Sequence, residues 1–312
     1  MRFSPILLLL FALAACNPDP KPGPRLDLVG STRFLSADRA SSTPADTFTT
    51  RFYAEMRGRD AASLKALRVR VRYTPTRNPI DYPTPYDADR APQDPGPLTY
   101  LDSLLPAGQR EAAFQFTANT RTTSGVEQWV FEAEDTDGNV TQRTFRLRLR
   151  NADSTLVYHR YTLRVSAPTG PGARSYVALL PGLALPPYAL RNRPDNQALI
   201  DVAYVPLASN APSLAVPTDP LAQLGNWANR RATQLRRTTL NEEAFNSADT
   251  EGELQAAFTN GTDFATATNT GPLVRNQVVA FRTADNKTGL LFIQEFPTAP
   301  TAAILMRVRI TK

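Results

Sequence analysis

Twice in this chain arginine alternates strictly with an apolar residue, in Leu67-Arg68-Val69-Arg70-Val71-Arg72 and in Phe145-Arg146-Leu147-Arg148-Leu149-Arg150. A helix would spread those arginines around its circumference. Only an extended strand, whose side chains repeat every second residue, puts all the aliphatics on one face and all the guanidiniums on the other. Each stretch therefore predicts a half-buried β-strand of a sheet with one wet face. The same period of two runs through Thr47–Met56, Leu64–Thr74, Arg110–Thr120, Val126–Thr136 and Val140–Arg150. Shorter candidates at Ser31–Leu35 and Leu98–Leu104 bring the strands before Asn151 to about seven, the count of an immunoglobulin-like β-sandwich.

The single cysteine, Cys16, cannot clamp two sheets, so apolar packing that includes Trp129 must hold them. Pro75 to Pro106 is too rich in proline for central strands and reads as a long inserted loop.

Beyond Asn151 the texture changes. Ser154–Ala167 reads as a strand, Pro168–Ala173 as a break, and Ala198–Leu207 as a buried strand. Thr239-Leu240-Asn241-Glu242 and Thr250-Glu251-Gly252-Glu253 match capping boxes and predict two short helices. Gln277–Phe296 predicts a hairpin about an Asp-Asn turn, and Ala302–Lys312 a terminal strand. The fold class is mainly β: an immunoglobulin-like β-sandwich over residues 25–151 with its insertion at 75–106, then an α+β domain over 152–312 with antiparallel sheet and two short helices.

The first 24 residues belong to neither. Arg2 precedes the apolar run Ile6–Ala15, which is too short for a bilayer core of about 30 Å. A charged start, a short apolar run and a small-residue exit describe a secretory signal. Leu13-Ala14-Ala15-Cys16 resembles the lipobox of bacterial lipoproteins. That resemblance implies cleavage after residue 15 and acylation of Cys16, so the chain's first expected partner is a membrane. Residues 16–24, with proline at alternate positions, then form an extended tether. Asn17 after the cysteine, by similarity to the sorting rule of enterobacterial lipoproteins, implies the outer membrane.

Two further resemblances concern the folded part. Trp129–Leu149 resembles the last hairpin of bacterial immunoglobulin-like repeats. Ile200–Tyr204, Trp227–Arg231 and Ala280–Leu290 resemble segments of uncharacterised Bacteroidota lipoproteins, whose hairpin turn commonly has glycine where this chain has Asn286. Asn tolerates positive φ, so the turn is expected to form. Asp102-Ser103-Leu104 and Asp153-Ser154-Thr155 resemble the short O-glycosylation motif of exported Bacteroidota proteins. None of these resemblances implies an activity.

Catalytic apparatus is sparse. His159 is the one histidine, it lies in a strand-like run, and no Gly-x-Ser-x-Gly elbow accompanies it. No phosphate loop or dinucleotide fingerprint is present, and a zinc site of Cys and His is excluded by count. Asp135 and Asp137 faintly echo a calcium loop, but flanking strands favour an ordinary hairpin turn. No cofactor and no enzymatic activity are expected. The alternatives are a glycan-processing enzyme with two spatially paired carboxylates, or a structural subunit of an outer-membrane complex.

A net charge of +6 comes from basic residues scattered among acids, with lysine only at positions 21, 65, 287 and 312, which does not suit nucleic acid. A binding role points to exposed surfaces. Tyr82, Tyr86 and Tyr100, in or beside the proline-rich insertion, offer flat faces to a glycan or an envelope protein. Arg68, Arg70 and Arg72, with Arg146, Arg148 and Arg150, offer guanidiniums to lipopolysaccharide or another anionic polysaccharide.

Overall fold

The computed structural model describes residues 23–57, 62–76, 85, 87, 95–150, 156–208 and 210–312. Cys16, Tyr82, Tyr86, the second glycosylation-like motif and most of the proline-rich insertion lie outside them.

Eight strands among the described residues build the first half. β1 (Arg25–Leu28), β3 (Thr47–Glu55) and β6 (Glu111–Asn119) form one sheet, in the order β1-β3-β6. β2 (Arg39–Ser41), β4 (Leu64–Pro75), β5 (Leu98–Leu104), β7 (Gly125–Asp135) and β8 (Val140–Leu149) form the other, in the order β2-β8-β7-β4-β5. β1 joins one sheet while β2 crosses to the other and runs parallel to the last strand, β8. Together with the antiparallel β4-β7-β8 centre, this is an immunoglobulin-like sandwich.

Alternation puts Val69, Val71, Trp129, Phe131, Phe145 and Leu147 inside, against Phe48, Phe52 and Phe116 of the facing sheet. Trp129 meets Phe48 edge-on at 5.0 Å and stacks with Phe116 at 5.8 Å. These aromatics fill the space that a disulfide occupies in antibody domains.

Ser31–Leu35 is not a strand. The Ser31 hydroxyl accepts from the Arg33 and Phe34 amides at 3.1 Å each, which turns the chain locally instead of leaving it extended.

The second half is a second sandwich with helices on its outer side. β10 (Tyr176–Ala178), β11 (Leu183–Leu185), β12 (Val202–Pro206) and β13 (Pro212–Ala215) form a four-stranded sheet. β9 (Tyr158–Ser166), β14 (Gln234–Arg237), β15 (Val278–Arg282), β16 (Thr288–Glu295) and β17 (Ala303–Thr311) form a five-stranded one, in the order β14-β15-β16-β17-β9. Val279, Phe281, Leu291, Ile293, Met306 and Val308 face the four-stranded sheet. Val278, Ala280, Leu290 and Phe292 face the helices, which explains why β15 and β16 are apolar without alternation.

A single turn, α1 (Pro194–Gln197), precedes β12, while α2 (Glu242–Ser247) and α3 (Glu251–Thr259) cover the outer face through Phe245, Leu254 and Phe258. Thr250 and Glu253 form the expected capping box. α2 is capped instead by Asn241, whose side chain accepts from the Ala244 amide at 2.9 Å, two residues later than the Thr239 pattern predicts. At the β15–β16 turn Asn286 takes φ 60°, as expected of Asn in that position.

The two halves share a core. Leu183, Leu185, Ala189, Leu190 and Ile200 pack into the aromatic cluster of the first sandwich. Asn119 accepts from the Ala184 amide at 2.9 Å, and Asn196 donates to the Thr99 carbonyl at 2.8 Å. No described helix is long and apolar enough to cross a membrane.

Candidate ligand-binding face

The outward face of the β2-β8-β7-β4-β5 sheet carries both arginine runs, and strand register decides what each guanidinium meets. Arg68 lies opposite Glu132 on β7 and Asp102 on β5. It bonds Glu134 at 2.5 Å, Glu132 at 3.0 Å and Asp102 at 3.2 Å. Arg70 reaches Glu132 at 3.1 Å, Lys65 reaches Glu134 at 2.5 Å, and Arg193 pairs with Asp102. Lys65 and then Arg68 hold the Glu134 carboxyl below the usual carboxylate range, and Glu134 is the main reason the Arg68 guanidinium is held higher still. At this end of the face every cation is paired, with Lys65, Arg68, Arg70 and Arg193 sharing Asp102, Glu132 and Glu134.

The other end differs. Arg72 lies opposite Gln128, and Gln128 lies opposite Arg146, so two guanidiniums flank an amide across three strands. Arg148 lies opposite Val126 on one side and Ala40 on the other. Arg72, Arg146, Arg148 and Arg150 are exposed, and their side chains form no ion pair or hydrogen bond with another described residue. Asp38 accepts from the Arg146 main-chain amide at 2.8 Å, not from its guanidinium. Neighbouring strands are about 4.8 Å apart and same-face residues about 7 Å apart along a strand, so these side chains span a patch of about 10 by 14 Å.

The depressed pKa of Glu134 has a pH consequence. A carboxyl whose folded pKa lies below its unfolded value contributes stability above the unfolded value, about 4.3 for glutamate, and loses it as pH falls through the folded one. Asp219 acts in the same direction: burial alone would raise it, but hydrogen bonds from Thr268, Asn269 and the Leu221 amide outweigh burial and lower it. The melting temperature is expected to fall as pH drops below about 4, and Glu134→Gln with Asp219→Asn should flatten that part of the profile. Thermal melts between pH 7 and pH 3 check this; an unchanged profile in the double variant contradicts it.

Tyr100 is not on a surface. A register shift between Val69 and Arg70 marks a bulge in the β4–β5 pairing at Tyr100, which turns its ring inward beside Phe116 at 4.8 Å and Tyr188 at 5.7 Å. It is 2% exposed, donates to the Thr117 carbonyl at 3.2 Å, and burial pushes its hydroxyl up to about 12. No face remains for a ligand, because β11 and the turn at Pro187–Ala189 cover it.

Asp135 closes its own turn, accepting from the Asp137 and Asn139 amides at 2.9 and 2.8 Å and from the Asn139 side chain at 2.9 Å, while Asp137 is exposed. No group of three or more His, Cys, Asp or Glu able to hold a metal occurs among the described residues. His159 is buried on β9 opposite Ile310.

Asp201, Arg231 and Asp285, from three separate segments, are joined by ion pairs. The Asp201 carboxylate accepts from the Leu179 amide at 2.8 Å, Arg231 Nε at 2.8 Å and the Thr233 hydroxyl at 3.2 Å. Arg231 also pairs with Asp285. Burial pushes the Asp201 carboxyl up, against the pull of Arg231, the Leu179 amide and Thr233. An aspartate inside the apolar run Ile200–Val205 is the sequence signal for this cluster. Its carboxylate is saturated by protein donors, so it acts as a structural tie.

No protein-family model matches the chain, and no curated protein matches it. Among solved structures, a DUF4466 family protein from Parabacteroides merdae is 12% identical over 94% of this chain and 100% of its own, at a TM-score of 0.35. Spo0M, a sporulation control protein from Bacillus subtilis, is 12% identical over 62% of this chain and 78% of its own, at a TM-score of 0.26. At such scores neither likeness bears on fold or activity.

Proposed function

We propose that this chain is a lipid-anchored outer-membrane protein that binds anionic envelope glycans, without catalysis, through the face bearing Arg72, Arg146, Arg148 and Arg150. The observation that carries the reading is the division of one sheet face into an end whose cations are paired and an uncompensated one. Guanidinium forks match carboxylate and phosphate geometry, and a row of them suits a polymer with repeated anionic groups. Single exposed pairs are worth about 0–1 kcal/mol, so affinity must come from several at once and weaken with salt. The lipobox supports the address, and mass spectrometry of the native protein tests it through a diacylglyceryl group on Cys16.

Calorimetric titration with polygalacturonate, against neutral dextran as control, tests the binding role. Arg146→Glu with Arg148→Glu should weaken polygalacturonate binding about tenfold or more, since each tenfold is about 1.4 kcal/mol and two attractions become repulsions. Equal affinity for dextran, or an unchanged affinity in the double variant, overturns the reading.

A further inference from the structure

A buried guanidinium is costly to leave without a partner, and Arg174 is in that position. It is 8% exposed, and its side chain forms no hydrogen bond or ion pair with another described residue. Arg309, the other arginine buried as deeply among the described residues, shows the usual remedy. It reaches Asp249 at 2.5 Å and the Ala248 and Asn246 carbonyls at 2.7 and 2.8 Å. The groups whose charge acts on Arg174 are the hydroxyls of Tyr100 and Tyr188 and the guanidinium of Arg164. Burial raises the Tyr100 hydroxyl to about 12 and pushes that of Tyr188 up as well, so both are uncharged in neutral solution. Arg164 is a like charge. No carboxylate among the described residues offsets the cation.

The strands explain why the two arginines come together. Ser166, the last residue of β9, donates to the Arg174 carbonyl at 3.0 Å, and two residues later β10 starts in the other sheet. Arg164 and Arg174 thus flank the place where the five-stranded and four-stranded sheets part, with Tyr188 of the turn Pro187–Ala189 beside Arg174. Arg164 donates through Nη2 alone, to the Ala299 and Thr301 carbonyls at 3.1 and 2.8 Å, so its Nε and Nη1 have no bond among the described residues. Solvent reaches this place. Arg164, Tyr176 and Tyr188 are half-buried, and the loop over residues 168–172 is exposed. The arginine nitrogens that are both sealed and unbonded among the described residues are Arg121 Nε and Arg307 Nε, so the unbonded fork of Arg174 keeps a narrow opening.

We infer that Arg174 and Arg164 hold a small oxyanion, a carboxylate or phosphate group, where the two sheets of the second sandwich part. A guanidinium fork presents parallel N–H donors that match two oxygens of such a group, a geometry that spherical chloride cannot use. The bound charge offsets both cations and supplies the partner that the chain withholds from Arg174. The narrow opening admits one anionic group and not a polymer, which sets this site apart from the face of Arg72, Arg146, Arg148 and Arg150.

Thermal melts of the full chain at equal ionic strength test this, with sodium phosphate, sodium acetate or sodium chloride as the salt. Phosphate or acetate should raise the melting temperature with a saturating dependence that chloride lacks, and the more effective of the two identifies the group. Saturation separates binding from the general exclusion of salt from the surface. Arg174→Gln should shift that dependence to about tenfold higher concentration or more. Arg146→Glu with Arg148→Glu should leave it unchanged, which separates this site from the glycan face. In chloride alone Arg174→Met should melt no lower than the native chain, because it removes a buried cation that has no protein partner. An equal effect of chloride on the native chain, an unaltered response in Arg174→Gln, or a marked loss of stability in Arg174→Met overturns the inference.

Discussion

Replacing Asp201 with alanine is expected to lower the unfolding free energy by about 3–5 kcal/mol, because it takes the buried carboxylate from a partly buried guanidinium and leaves buried donors without an acceptor. Asp201 is 1% exposed and ties three places together: the Leu179 amide after β10, Arg231 before β14 and Thr233. The substitution strands the Leu179 amide in a dry site and removes the buried one of the two carboxylates that Arg231 pairs with, leaving it only the more exposed Asp285. Losing an acceptor for a buried donor costs about 1–3 kcal/mol by itself. Asp201→Asn keeps one acceptor and should cost less than alanine. Urea unfolding of the two variants checks the order, and a loss below about 1 kcal/mol for alanine contradicts the assigned role.

Glu127→Ala should be comparably damaging, at about 3–5 kcal/mol. Glu127 points into the first sandwich, 1% exposed, where it accepts from the Arg121 amide at 3.1 Å and from the Trp129 indole at 3.2 Å. The Arg121 side chain stands 3.7 Å away, its guanidinium over the Tyr73 ring at 4.8 Å. Burial raises the Glu127 pKa and lowers that of Arg121, so each charge carries a desolvation cost that the other offsets. Removing one partner exposes the whole cost of the other. Replacing both, Glu127→Leu with Arg121→Leu, should therefore be milder than Glu127→Ala alone. A double-mutant cycle by denaturant unfolding measures this, and additive losses contradict the coupling.

How much of this was legible in the sequence depends on where each residue's environment comes from. The strands β4 and β8 could be read because their alternation is local. β15 and β16 could be read as strands, but not that each is buried on both faces, since the helices covering them lie elsewhere in the chain. The three- and four-residue strands β1, β2, β10, β11, β13 and β14 are too short to show a period, and tertiary pairing alone defines them.

The site shows the same division. Six arginines look alike in sequence, yet Arg68 and Arg70 are paired and Arg146 and Arg148 are not, because register across β7 delivers Glu132 and Glu134 to one end only. Tyr100 reads as a loop aromatic, and its burial by Leu183, Leu185 and Tyr188 arises from a segment distant in sequence.

Arginine modification reports directly on the proposed anion-binding end of the sheet face. The full chain is treated with phenylglyoxal with and without polygalacturonate, and labelled sites are quantified by mass spectrometry. Polygalacturonate is expected to shield Arg72, Arg146, Arg148 and Arg150 while exposed Arg237 and Arg275 in the second half react as before. Equal labelling of the four arginines with and without the polymer would contradict it.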